Sequence, residues 1–152
     1  MTEFGDIGKF VRLGAAWFPG GQGGADHEGQ FVIRFSDPSE FGSWQGDGEV
    51  ERSWWSGKGK GWIFLESRVV DEVVTVSRLG SYRGLRVIQF GPVNNGEMAV
   101  SPEDNHPRAG EALGFQGHPR FERTAVIPVE EFVDVQEEVT VLYRRGEGWI
   151  RG

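Results

Sequence analysis

Residues 72–90, EVVTVSRLGSYRGLRVIQF, decide how the chain is read. Two runs rich in apolar and β-branched residues flank GSYRG, which is the grammar of neighbouring antiparallel strands joined by a short turn. In the first run Val74, Val76 and Arg78 fall on one face and Val73, Thr75, Ser77 and Leu79 on the other, the mixed pattern of a half-covered strand. In the second, Leu85, Val87 and Gln89 share one face while Arg86, Ile88 and Phe90 share the other. Such a nearly continuous apolar run predicts a central strand over 85–90.

Upstream, Lys9–Phe18 (KFVRLGAAWF), Gln30–Phe35, Glu49–Trp55 and Gly61–Ser67 predict further strands. PGGQGGADHEG, between the first two, reads as a long glycine loop. Asp37-Pro38-Ser39-Glu40-Phe41 predicts a short helix, with Asp37 as cap and Pro38 at the first helical position, ended by Gly42. GKGK at 57–60 reads as a charged hairpin tip, a device that also discourages edge pairing.

Downstream, residues 91–117 are dominated by turn formers and prolines and read as a long irregular excursion containing one short strand at 97–100. Order resumes with a strand at 121–127, a helical turn at 128–132 and a last strand at 138–145. The tail GEGWI is expected to dock back on the sheet. His106-Pro107-Arg108 recurs as His118-Pro119-Arg120, but no second period supports a duplicated unit.

The expected fold is mainly β, an antiparallel β-sandwich or open β-barrel with one or two short helices, with an α+β roll as the alternative. Composition agrees. There are 24 glycines in 152 residues, and each costs about 1 kcal/mol relative to alanine inside a helix. The length suits a single domain, 1–152, able to bury roughly two-thirds of its unfolded surface. The absence of cysteine excludes a disulfide framework, a thiolate metal site and a cysteine nucleophile. No apolar run approaches the ~20 residues of a membrane span, and MTEFGDIGKF carries acids where a signal peptide carries Lys or Arg. A soluble, cytoplasmic protein with no membrane partner is expected.

The net charge of −7 conceals a basic middle, in which residues 52–86 hold seven basic and three acidic side chains. Arg52, Lys58, Lys60, Arg68, Arg78, Arg83 and Arg86 occur there with Trp54, Trp55, Trp62 and Tyr82. Cations interleaved with aromatics suit single-stranded nucleic acid, but a chain of charge −7 repels a polyanion at long range. An acidic surface favours a basic protein partner instead. Trp54 and Trp55 are adjacent on a strand and must face opposite ways, so one indole is expected outward. Trp54, Trp55, Lys58, Lys60, Tyr82 and Arg83 are therefore the expected binding surface.

Catalytic chemistry has thinner support. His27, His106 and His118 all lie in loops without the spacing of a metal site. His106 and His118 with Asp104 or Glu122 are the candidates for acid, base or ligand roles, and SPEDNH (101–106) is the densest polar cluster. PGGQGG and SGKGKG lack the spacing of a phosphate loop. No cofactor or metal is expected. The leading reading is a non-enzymatic binding module, either an inhibitor or immunity-type protein for a basic partner or an assembly subunit, with self-association allowed. A small His/carboxylate enzyme built on 91–122 and single-stranded nucleic-acid binding through 52–86 follow in that order.

Overall fold

The computed structural model describes residues 4, 6–103, 113–116 and 124–150, and within them the chain is mainly β and antiparallel. Its strands are β1 (Gly8–Leu13), β2 (Ala16–Gln22), β3 (Gln30–Phe35), β4 (Glu49–Trp55), β5 (Lys60–Glu66), β6 (Glu72–Tyr82), β7 (Leu85–Gln89), β8 (Glu97–Pro102), β9 (Ala125–Pro128), β10 (Val133–Arg144) and β11 (Gly148–Trp149). One helix, α1 (Pro38–Ser43), and 3-10 turns at Ala25–His27, Ser67–Val69 and Val129–Glu131 complete the described elements. The strands do not close into a barrel, and one six-residue helix does not make an α+β roll. Two compact units divide the chain: Gly8–Thr75 with Thr140–Gly152, and Met1–Ile7 with Val76–Val139.

In the unit built on Gly8–Thr75 the strand order is β4-β5-β3-β2-β1. The expected single strand over Lys9–Phe18 is instead a hairpin, with Leu13 opposite Ala16. Gly14 supplies its turn at φ +63°, a conformation glycine adopts without steric cost. The expected loop at 19–29 is also shorter, because β2 runs on through Pro19-Gly20-Gly21-Gln22, with Gly20 opposite Ile33. Gly20 is there for close approach: a Cβ would sit 2.0 Å from the Val32 carbonyl oxygen. Only residues 23–29 are left to connect β2 to β3.

Alternation along these strands sends Val11, Phe31, Ile33, Phe35, Ile63 and Leu65 into one buried cluster, which Val70, after the Ser67–Val69 turn, and Val73 of β6 complete. Asp37 caps α1 by accepting a hydrogen bond from the Ser39 N–H at 2.8 Å, and Pro38 follows it, as the sequence predicts. The helix delivers Phe41 to the cluster's edge, 5.9 Å from the Phe35 ring and 5.2 Å from that of Trp54. At the other chain end, β11 pairs with β10 through Tyr143 and Trp149, and Trp149 stacks on Phe31 with ring centroids 5.6 Å apart. The apolar tail thus docks as expected.

In the unit built on Val76–Val139, β7 lies between β6 and β8, with β9 beyond. Its core is Tyr82, Val87, Met98, Val100, Phe115, Ile127 and Phe132. Gln89 is buried among them, and its amide donates to Asp6 Oδ1 at 2.8 Å and to the Gly91 carbonyl at 2.9 Å. The strand expected at 97–100 extends to Pro102, and Phe115 from the predicted excursion is a core residue. Of the strand expected at 121–127, the described part is β9. The last strand begins at Val133, earlier than expected, because VDVQEEVTV alternates while remaining largely exposed.

The glycines of PGGQ are expected to differ sharply. Gly20→Ala should destabilise by about 1–3 kcal/mol through overpacking, whereas Gly21→Ala, whose Cβ would meet only Lys9 Cδ at 3.6 Å, should be near neutral in denaturant unfolding. Equal, negligible effects at both positions would mean a loop rather than a strand.

Candidate functional site

The β4–β5 hairpin splits the two adjacent tryptophans. Trp54 lies opposite Gly61, and a Cβ on Gly61 would approach Trp54 Cε3 to 2.4 Å and Phe41 Cδ2 to 2.6 Å. The missing side chain is the space in which Phe41 and Trp54 meet. Trp55, one residue on, points the other way and is 54% exposed. Hydrogen bonds from Lys58 N–H to Trp55 O (3.1 Å) and from Gly59 N–H to Ser56 O (3.3 Å) fold the tip back. That turn brings Lys58 Nζ to 5.6 Å from the Trp55 ring, within cation–π reach.

Directly opposite residues share a face. Trp55 pairs with Lys60, and two residues along, Ser53 pairs with Trp62, which pairs in turn with Arg34. The outer face of β4, β5 and β3 therefore carries Trp55, Lys60, Trp62 and Arg34 together. β4 is the end strand of this order, and its edge is guarded by a register shift between Glu49 and Glu51 and by the Glu49–Arg52 pair. Both features disfavour the pairing of an added strand here.

The basic middle is largely neutralised by the chain itself. Arg52 pairs with Glu49, Arg68 with Asp47 and Glu66, Arg78 with Asp6 and Glu137, Arg83 with Glu131 and Arg86 with Glu103. Lys58 and Lys60 have no carboxylate partner among the described residues. Tyr82 is a core residue, 6% exposed, in the unit built on Val76–Val139. Arg83 is exposed beside it at φ +50°, its guanidinium 5.2 Å from the Tyr82 ring.

His27 stacks on Phe64 with ring centroids 3.6 Å apart, and its Nε2 lies 3.1 Å from Glu51 Oε2. This contact ties the 23–29 connection to β4 and β5. His106, His118, Asp104 and Glu122 lie outside the described residues. Glu103 at the start of that segment is held by Arg86 at 3.2 Å. Among the described residues no three His, Asp or Glu side chains are grouped to hold a metal ion, and no helix is long and apolar enough to cross a membrane.

One feature escaped sequence reasoning: a cleft where the ends of β2 and β3 meet α1, lined by Trp17, Phe18, Arg34, Glu40 and Trp44. The Asp37-Pro38 helix start was the available signal, because it fixes where Glu40 and Trp44 fall. Compared with known protein families, curated proteins and solved structures, the chain matches none.

Two surface carboxylates report on the ion pairs. A hydrogen bond from Arg68, supported by the Gly48 N–H, holds Asp47 below the ordinary carboxylate range, and a hydrogen bond from Arg52 does the same for Glu49. Their folded-state values are depressed, so the stability they add is present above about pH 4 and is lost as pH falls through the lower folded values. Unfolding midpoints measured between pH 6 and 3 should therefore drop less in an Asp47→Asn, Glu49→Gln double variant than in the native chain. An identical drop would remove these pairs from the acid response.

Proposed function

We propose that this chain is a non-enzymatic protein-binding module that meets its partner with the outer face of the β4–β5 hairpin. The observation that carries this reading is Trp55: an indole 54% exposed, beneath Lys58, on a strand whose inward tryptophan is already committed to the core. Tryptophan is enriched among the residues that carry most of the energy of a protein interface, and exposing one without a partner forfeits its apolar burial. Trp62 and Lys60 extend the same face. The chain's charge of −7 speeds encounter with a partner that is basic overall, while Lys58 and Lys60 favour carboxylates at the rim of the pocket receiving the indole.

Nucleic acid is the weaker occupant. A phosphate backbone is held by several free cations, and the five arginines of the basic middle are engaged by carboxylates of this chain. An inhibitor-type role and an assembly-subunit role both use such a contact, and the partner's own activity separates them.

The test is retention of host proteins by the purified chain, compared with Trp55→Ala. A stoichiometric protein should be retained by the native chain and at least tenfold less by Trp55→Ala, with the unfolding free energy of the variant within about 0.5 kcal/mol of native. Undiminished retention by Trp55→Ala, or retention abolished by nuclease, would overturn the reading.

A further inference from the structure

Among the described residues every arginine but one has a carboxylate partner. Besides the five arginines above, Arg12 and Arg144 share Glu72, and Arg145 pairs with Asp71. The exception is Arg34, on β3, which makes neither an ion pair nor a side-chain hydrogen bond. It lines the cleft between the β2 and β3 ends and α1, together with Glu40. The Glu40 carboxylate is likewise unpaired, and the two do not pair with each other. Opposite charges thus share one cleft while neither is neutralised.

The remaining wall is aromatic. Trp17, Phe18 and Trp44 line the cleft, whose volume of about 450 Å³ lies in the range of small-molecule sites, roughly 300–1,000 Å³. Trp44 is set in place beforehand: its indole lies against the backbone of Gly46, where a Cβ would come within 2.4 Å of Cζ2. Phe18 is braced by Phe35, with ring centroids 6.0 Å apart. Glu40 is held on α1 by the Asp37 cap and Pro38, and Arg34 by its register opposite Trp62.

We propose that this cleft binds a small zwitterion with an apolar body, an α-amino acid carrying a free carboxylate and a free ammonium group. Arg34 would take the carboxylate, which a guanidinium can hold through two parallel N–H donors, and Glu40 would accept from the ammonium. The side chain would rest against Trp17, Phe18 and Trp44. A simple anion meets the Glu40 carboxylate, and a simple cation meets Arg34, so only a ligand with both charges satisfies both groups. Arg34 borders the face that carries Trp55, but Trp55 does not line the cleft, so loss of the Trp55 contact would leave this site standing.

The experiment titrates the full chain with L-phenylalanine and with L-leucine, reading tryptophan fluorescence at an excitation where neither ligand absorbs and confirming by calorimetry. Saturable binding of at least one amino acid is expected. For phenylalanine, removal of either charge, as in phenylacetate or phenethylamine, should weaken binding at least tenfold. Arg34→Met should lose tenfold or more for the amino acid while leaving phenethylamine no weaker, and Glu40→Gln should do so while leaving phenylacetate no weaker. Both exposed, unpaired side chains can be replaced without loss of fold, checked by the unfolding midpoint, and Trp55→Ala should bind as the native chain does. No saturable response to either amino acid, phenylacetate binding as tightly as phenylalanine, or native affinity in Arg34→Met would overturn the assignment.

Discussion

Opposite Trp54, the sheet has room for an indole only because residue 61 has no side chain. The Phe41 and Trp54 rings occupy that space at the edge of the Val11–Val73 core. Once Trp54 is fixed inward, the two-residue period of a strand forces Trp55 outward. The register that sets Trp54 against Gly61 also sets Trp55 against Lys60 and Ser53 against Trp62. One packing constraint therefore decides the composition of both faces of the hairpin. It links the hydrophobic core to the surface from which function is argued, because sliding β4 by one residue would exchange the two indoles.

The second organising principle is electrostatic self-sufficiency. Eight arginines of the described chain are answered by carboxylates of the same chain, several across strands, such as Arg78 with Glu137 and Arg144 with Glu72. Exposed pairs of this kind add little stability individually. Their larger effect is to remove positive charge from the surface, so among the described residues the lysines and arginines without a carboxylate partner come down to Lys9, Arg34, Lys58 and Lys60. Lys58 and Lys60 lie at the hairpin tip, and Arg34 and Glu40 lie in the aromatic cleft. In both places the unpaired charge adjoins tryptophan, the combination of apolar area and ionic anchoring that recognition requires.

Much of this was legible in the residues. The alternation in 72–90 identified β6 and β7, Asp37-Pro38 identified α1, and the adjacency of Trp54 and Trp55 required one indole outward. The errors have physical causes. KFVRLGAAWF is apolar on both sides of Gly14, so composition concealed the turn that splits it. PGGQ has the composition of a loop, yet Gly20 is required by backbone approach to Val32, an effect that depends on a partner strand. The neutralisation of the basic middle is hidden in the sequence because ion pairs such as Arg83–Glu131 join residues far apart along the chain. Tyr82 illustrates the same limit, since its burial against Phe115 is settled by a segment more than thirty residues away. The cleft was invisible for that reason too: Trp17, Arg34 and Glu40 converge only once β2, β3 and α1 are in register.

Two neighbouring indoles meet opposite fates, Trp54 inward and Trp55 outward, and collisional quenching by iodide measures this directly. Trp55→Phe should remove the most strongly quenched part of the emission, reinforced by Lys58 attracting the anion, and leave the unfolding midpoint unchanged. Trp54→Phe should lower the midpoint while leaving that quenched component intact. If the two variants lose the same quenched component, or if Trp55→Phe is the one that destabilises, the register of β4 on β5 described here is contradicted.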